Sequence, residues 1–287
     1  MTLLRTSALA LLPAALIAQA PAPASSLADT YRTAKPGIEA QMKEDPDKAL
    51  AAALALIPAD RPAFDNTNPP ATGKSINEYR ALTSLYRLAS DAAYQAGQVE
   101  KSRELMVKAQ DNAKATYQQA QAPLTKLVDL WKGAVDQAQK AMDEEKTLTA
   151  KSPRTPEEEQ RLTYLTTNHA TFENNLKVGN SQITYQTKSL QDLKDEPGDF
   201  DKALEVIDAR LKAEAADLDK FQGNKVKYVA AGLKSIGKGM DQEKALMALR
   251  RFRVLDPANK AVGHRIDVLL GKAADKPARP VHRKKKG

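Results

Sequence analysis

One repeating pattern constrains the fold of this chain more than any other feature: apolar residues three and four positions apart, sustained over two long segments. In the first segment, nine of ten such positions are apolar or aromatic. They are Tyr117, Ala120, Leu124, Leu127, Trp131, Ala134, Ala138, Ala141, Glu145 and Leu148. This spacing draws one narrow apolar stripe along a helix, as coiled coils require. The pattern predicts a long helix that pairs with another helix through the stripe.

A second segment repeats the pattern after a break at residues 151–154. Thr155 is predicted to cap the new helix, Pro156 to occupy its first position and Glu158 to complete a capping box. Its stripe consists of Leu162, Leu165, His169, Phe172, Leu176, Gly179, Ile183, Gln186, Leu190 and Leu193. The two segments therefore predict two long helices joined by a short turn.

The sizes of the side chains predict how the two stripes meet. Antiparallel pairing about the break puts a large residue opposite a small one in four layers: Trp131 with Gly179, Ala138 with Phe172, Ala134 with Leu176 and Ala120 with Leu190. Alternating sizes let facing layers fill the space between helices. The expectation is an antiparallel coiled-coil hairpin over residues 113–195, with arms of about 37 residues and ~55 Å. Packing of both helices in a compact bundle is the alternative, but the narrow stripe favours a projecting hairpin.

Helical patterns also account for the N-terminal part of the chain. Asp45-Pro46-Asp47 is predicted to open a helix that ends at Pro58, and residues 58–75 to form a turn-rich loop. Helices over residues 76–96 and 99–113 follow, split at Gly97, and the second continues into the hairpin. No alternating strand pattern is convincing.

The C-terminal part continues the same pattern. A break at residues 196–198 is predicted to precede a new helix from Asp199, and three shorter helices follow, at residues 225–236, 242–254 and 258–270. The predicted fold class is therefore all-α.

Composition excludes several kinds of site. The 287 residues include no cysteine, which excludes disulfides, thiolate zinc sites, iron–sulfur clusters and cysteine nucleophiles. The three histidines are dispersed, and His169, which faces Ala141, is interpreted as a polar residue that fixes helix register. Residues 232–238 satisfy a phosphate-loop spacing, but Gly239 stands where Ser or Thr would bind Mg²⁺. We expect no catalytic site, cofactor, metal or small-molecule substrate.

The N-terminus predicts export from the cytoplasm. Arg5 precedes an apolar run over residues 7–18, and Ala22-Pro23-Ala24 provides the small residues of a cleavage site. The run is too short to span a membrane, for which ~20 residues are needed. Residues 1–24 are therefore predicted to be a signal peptide cleaved after Ala24. The absence of cysteine excludes a lipoprotein, so the mature chain is expected to be periplasmic or secreted, without a transmembrane span.

The C-terminal residues 274–287 concentrate the positive charge. The whole chain carries +8, and six cations against the single carboxylate of Asp275 give this segment +5. The cations are Lys276, Arg279, Arg283, Lys284, Lys285 and Lys286. With two prolines and few apolar residues, the segment is predicted to be a disordered basic tail. Such a tail could contact an anionic lipid, cell-wall polymer or nucleic acid.

Two predicted helix pairs carry the spacing of a known repeat. The positions in the first pair are Tyr86, Ala89, Ser90, Ala93, Gly97, Ser102, Met106 and Ala109, and in the second Ala245, Leu249 and Pro257. Both pairs resemble tetratricopeptide (TPR) repeats, over about a third of the chain. The first pair departs from the pattern at Lys114, which replaces the closing proline. In the second, Leu233 and Phe252 replace small residues.

The resemblance implies TPR-like helical regions at residues 25–112 and 196–273, stacked as helix pairs with a concave face that binds peptides or proteins. Tyr79, Arg80, Tyr86 and Arg87 are the candidate residues for that face. The alternative is that the tyrosines only pack between helices.

Three classes of function remain. The first is an exported, non-enzymatic interaction or scaffold protein that binds an unidentified protein partner. The second is a protein that binds an anionic surface through its basic tail. The third is an enzyme whose site the sequence does not reveal. The helical architecture favours the first.

Overall fold

The computed structural model describes residues 26–67, 69–236 and 239–273. These residues form eight α-helices: α1 (Leu27–Glu44), α2 (Pro46–Leu56), α3 (Pro69–Gln95), α4 (Val99–Ala150), α5 (Pro156–Asp219), α6 (Lys225–Ser235), α7 (Gln242–Leu255) and α8 (Lys260–Leu269). No strand occurs among them, so the all-α prediction is confirmed. The predicted signal peptide and basic tail lie outside the described residues.

The two longest helices form the predicted antiparallel hairpin. A Cβ atom built on Gly179 would lie 3.7 Å from Cε3 of Trp131, which confirms that this large residue faces that small one. Ala120 packs in one apolar cluster with Leu190, while Phe172 packs in a second cluster with Ala141. Two of the four predicted layers, Trp131 with Gly179 and Ala120 with Leu190, are therefore confirmed, while Phe172 shares its cluster with Ala141 rather than with the predicted Ala138.

The turn of the hairpin is built as the sequence predicted. The Thr155 hydroxyl accepts a hydrogen bond from the Glu158 amide at 3.3 Å, and the Glu158 carboxylate accepts one from the Thr155 amide at 3.0 Å. Pro156 occupies the first helical position. This capping box satisfies two amides that the first turn of a helix leaves free, and it fixes where α5 begins.

The break predicted at residues 196–198 is wrong, because α5 continues through Pro197 without interruption. A proline inside a helix removes one hydrogen bond and costs ~3 kcal/mol. Leu193 and Phe200, which lie on either side of Pro197, are both buried in clusters shared with α4. Burial of these residues outweighs the local cost, so α5 extends to 64 residues. Helix α5 is therefore longer than predicted.

Two further differences occur near the N-terminus. Helix α3 begins at Pro69, so the loop after α2 is shorter than the predicted 58–75. Helix α1 was not predicted at all, although Ser26 caps it by accepting a hydrogen bond from the Asp29 amide at 3.0 Å. Its interior proline, Pro36, masks the helical pattern in the sequence. The helices α2, α6, α7 and α8 lie within three residues of their predicted bounds.

The hydrophobic clusters show which part of the hairpin projects. Helices α1, α2 and α3 share one cluster with the start of α4, and α3 shares a second with α4 and the end of α5. The distal cluster of buried Ala141, Leu148 and Leu165 contains residues of α4 and α5 only. The hairpin therefore projects from a body of packed helices. Beyond Trp131 it extends by roughly 30 Å.

Helices α6, α7 and α8 form their own cluster and are joined to the body through Arg251 of α7. Its guanidinium donates to Glu100 of α4 at 2.6 and 2.8 Å, to Glu214 of α5 at 2.7 Å, and to the Gly97 carbonyl at 3.0 Å. A second bond to Glu214 uses the remaining N–H, so all five donors are satisfied. Burial alone would lower the pKa of Arg251, but its hydrogen bonds with Glu214 and Glu100 raise it.

Gly179→Leu should weaken the hairpin, because a Cβ atom there would lie 2.4 Å from Cγ2 of Val135. The matched control is Gly133→Leu, where a Cβ atom would meet nothing within 4 Å. Both changes gain at most ~1 kcal/mol of helix propensity. The difference between their unfolding free energies in urea should therefore equal the overpacking cost of about 1–3 kcal/mol. Equal stabilities would show that Val135 does not pack tightly against Gly179.

Candidate functional site

A cleft of about 610 Å³ lies where the hairpin leaves the body. One wall comprises the end of the loop before α3 and the first turns of α3, and the other comprises the facing sides of α4 and α5. Volumes of 300–1,000 Å³ are usual for sites that bind ligands. The cleft is therefore large enough to hold part of a partner molecule.

The hairpin wall of the cleft is largely apolar and partly uncovered. Leu127 and Trp131 of α4 line it, and Trp131 is the single tryptophan of the chain. Leu130 beside them is 62% exposed, and Tyr185 across the cleft is 64% exposed. Large apolar side chains grouped in a concave surface mark binding sites more often than isolated exposed ones do.

Amides and hydroxyls supply the polar part of the lining. They belong to Asn66, Thr67, Thr72, Asn77, Gln182, Gln186 and Ser189. Gln186 donates to Gln182 in a long hydrogen bond of 3.4 Å. Thr72 is 2% exposed, and its hydroxyl has no hydrogen-bond partner among the described residues. Buried hydroxyls are normally paired, so the Thr72 hydroxyl is an unsatisfied polar group inside the α3 wall, where it is shielded from the open cleft.

The charged residues of the lining are both cationic: Arg80 and Lys126. Arg80 makes one ion pair, through Nε to Glu196 at 3.4 Å, and its side chain is 43% exposed. Lys126 is exposed, and within the described part of the chain it forms no ion pair. No aspartate or glutamate lines the cleft. Because Glu196 offsets Arg80, the uncompensated positive charge of the lining is that of Lys126, which favours an anionic group.

Local hydrogen bonds hold the rim of the cleft in place. The Asp65 carboxylate accepts from the Thr67 hydroxyl at 2.7 Å and from the Thr67 amide at 2.9 Å. These bonds hold the pKa of Asp65 below its ordinary value. The Asp65 amide donates to Ser75 of α3 at 3.0 Å, and Phe64 packs edge-on against Tyr79. The loop is thus tied to α3, which positions Asn66 and Thr67 at the rim.

Of the four candidate residues named from the TPR resemblance, Arg80 alone lines the cleft. The assignment of Tyr79 to an open face is corrected, since its side chain is 5% exposed and packs against Phe64. Tyr86 is partly buried between two clusters, as the packing alternative describes. Arg87 is exposed but lies outside the lining. The six tail cations lie beyond the described residues.

Sequence reasoning missed the main apolar residues of the site. Leu130 and Tyr185 lie outside the two stripes, and Trp131 was assigned only to the layer with Gly179. Trp131 has two roles: its half-buried ring covers Gly179, and it also borders the cleft. The available signal was a large apolar residue directly beside the narrow stripe, where a coiled coil normally exposes polar residues.

The other chemical motifs of the sequence form no site. His169 contacts the Glu145 carboxylate at 2.7 Å, and this hydrogen bond raises the pKa of His169. The segment before the phosphate-loop pattern is helix α6 rather than a strand, while Gly237 and Lys238 lie outside the described residues. Across residues 26–67, 69–236 and 239–273, no three acidic or histidine side chains could hold a metal ion.

Helices long and apolar enough to cross a membrane are absent from the same described ranges. Comparison with family models, with curated proteins and with solved structures found no match to this chain. The TPR resemblance therefore stays a prediction from the sequence.

Proposed function

We propose that this chain is an exported, non-enzymatic protein that binds or scaffolds other proteins of the cell envelope through the cleft at the base of its hairpin. One observation carries the proposal: Leu130 and Tyr185 are exposed beside Trp131 in a concave surface. Aromatic residues and arginine are the side chains most enriched at the centres of protein interfaces. Trp131, Tyr185 and Arg80 provide that combination here.

The rest of the architecture supports the same proposal. The distal hairpin would act as a spacer or as a second contact, since it extends by roughly 30 Å beyond the cleft. Helical bodies of this kind function through their surfaces, so an interaction role needs no catalytic group. The proposed location in the envelope depends on the predicted signal peptide alone.

The test compares variants of the full chain as baits in envelope extracts. Leu130→Ser and Tyr185→Ser should each reduce the capture of a specific partner by about tenfold or more, as expected for central interface residues. Val206→Ser is the matched control, because Val206 is 61% exposed on α5 and lies outside the cleft. It should capture the partner as well as the native chain does.

The second candidate function predicts a different outcome. Six basic residues after Ala274 favour an anionic surface as the target, and such binding weakens as salt screens the charges. Capture that survives Leu130→Ser and is lost when the chain is shortened after Ala274 would contradict the cleft proposal. It would assign binding to the tail instead.

A further inference from the structure

We infer that the cleft binds an extended peptide segment of a partner protein, one that carries a carboxylate beside a large apolar side chain. This inference rests on the proposed function and specifies what the same cleft recognises. Three features of the lining lead to it: its charge, its amide side chains and its apolar wall.

The charge of the lining selects an acidic group. Lys126 has no ion pair within the described residues, and Arg80 keeps its two terminal nitrogens free of hydrogen bonds there. No carboxylate lies in the lining, and Glu196 contacts only Nε of Arg80, so a bound carboxylate would meet the uncompensated charge of Lys126 and the free terminal nitrogens of Arg80. A guanidinium can hold a carboxylate through two parallel hydrogen bonds, which gives the contact a defined geometry.

The polar groups favour an extended backbone over a helical one. A helix satisfies its own amides and carbonyls, whereas an extended chain needs partners for both. The amide side chains of Asn77, Gln182 and Gln186 line the cleft and can each donate and accept. An extended peptide is the ligand that would use these groups together.

The apolar wall provides the anchor for a large side chain. Leu127, Leu130 and Trp131 lie on one helix, and Tyr185 lies across from them. An apolar side chain that enters between them would cover surface that water now contacts. The favourable free energy of burial then adds to the directional contacts made by the cations and amides.

The test uses Trp131 itself as the reporter, since it is the single tryptophan in the sequence. Three capped peptides without tryptophan are titrated into the full chain while the emission of Trp131 is recorded. The first contains Gly-Ser-Leu-Phe-Asp-Leu-Ser-Gly, the second has lysine in place of aspartate, and the third has alanine in place of each leucine and phenylalanine. The first should shift the emission saturably, and the other two should bind about tenfold more weakly or less.

Variants of the protein test each feature of the lining. Lys126→Glu should weaken binding of the first peptide by about tenfold, while Lys140→Glu, the same change on an exposed part of α4 outside the cleft, should not. Asn77→Leu should also weaken binding, because it removes an exposed amide of the lining that can donate and accept. Unchanged binding by Asn77→Leu would contradict the role of the lining amides.

Several results would overturn the inference. One is equal binding of the acidic and basic peptides, and another is tighter binding of a helix-stabilised peptide of the same composition than of the first peptide. A third is a saturable response to oleate with none to the first peptide, which would make the cleft a lipid site. If partner capture depends on Leu130 but the first peptide does not bind, the proposed function stands and the inference fails. If partner capture does not depend on Leu130 and the first peptide does not bind, the proposed function and the inference both fail.

Discussion

Replacement of Gly97 by alanine should destabilise the protein by about 2–5 kcal/mol, because two costs arise at once. Gly97 has φ +80°, and an alanine in the left-handed region costs about 1–2 kcal/mol. Its Cβ atom would also lie 2.5 Å from the Arg251 amide nitrogen and 2.6 Å from the Arg250 carbonyl carbon. These are backbone atoms that cannot rotate away, so the overpacking costs about 1–3 kcal/mol more.

The position of Gly97 explains why it is so constrained. It follows the last turn of α3, where the Gln98 amide donates to the Ala93 carbonyl at 2.8 Å and the Gly97 amide to the Tyr94 carbonyl at 3.1 Å. This pair of bonds is the Schellman arrangement, which needs a left-handed residue at its centre. Helix α7 then packs directly on that residue.

Equilibrium unfolding in urea measures the destabilisation caused by Gly97→Ala. The control is Gly133→Ala, an exposed position inside α4 where a Cβ atom meets nothing within 4 Å. This change should stabilise the protein by roughly 0.5–1 kcal/mol, because alanine favours helix more than glycine does. Gly97→Asn separates the two costs, since asparagine tolerates a positive φ but still overpacks. A Gly97→Ala variant as stable as the native chain would refute the close approach of α7.

Replacement of Arg251 by methionine should cost about 3–5 kcal/mol, as is usual when one member of a buried ion pair is removed. Arg251 is buried, and the Glu214 side chain is 12% exposed. Without the guanidinium, the Glu214 carboxylate would remain largely removed from water with no cation beside it. Helix α7 would also lose its hydrogen bonds to α4 and α5, so the amides of α6 to α8 should exchange hydrogen faster.

The loss of stability caused by Arg251→Met should also depend on pH. The hydrogen bond from Arg251 lowers the pKa of Glu100 below its ordinary value of 4.5. A carboxyl group with a lowered pKa in the folded state stabilises the fold above pH 4.5, and that stabilisation is lost as the pH falls through the folded-state value. The difference in unfolding free energy between the native chain and Arg251→Met should therefore be largest at neutral pH and decrease below pH 4.5.

Two controls make the Arg251 experiment specific. Arg253→Met, on the same helix, removes an ion pair to Asp47 in which both side chains are more than 40% exposed, so it should cost at most about 1 kcal/mol. The double variant Arg251→Met with Glu214→Gln should recover part of the loss, because no unpaired charge then stays buried. If the double variant is less stable than Arg251→Met alone, the buried-charge explanation is wrong.

Much of the hairpin could be read from the sequence because its determinants are local and repeated. The spacing of apolar residues sets the stripe, the sizes of facing residues set the register, and Thr155, Pro156 and Glu158 set the start of α5. The helix α1 and the continuity of α5 could not be read in the same way. In both cases an interior proline opposed the local pattern, and burial against other helices outweighed it.

The candidate site was only partly predictable. Arg80 was identified, but as part of a TPR-like face, and Tyr79 was assigned to the same face although it is buried against Phe64. Exposure is a property of the assembled helices, so the sequence did not distinguish Tyr79 from Tyr185. Leu130 and Tyr185 are separated by more than fifty residues, and antiparallel pairing brings them into one cleft.

The sequence by itself determined the all-α class and the hairpin, since these depend on side chains repeated within a few turns of each helix, and the sizes of facing residues placed Trp131 opposite Gly179. Tertiary structure alone decided where the body covers the hairpin, which apolar residues stay exposed, and how α7 attaches. Arg251 and Glu100 are 151 positions apart, and no local pattern links them. Their pairing exists because the folded helices bring a buried cation and two carboxylates together, where an unpaired charge would be costly.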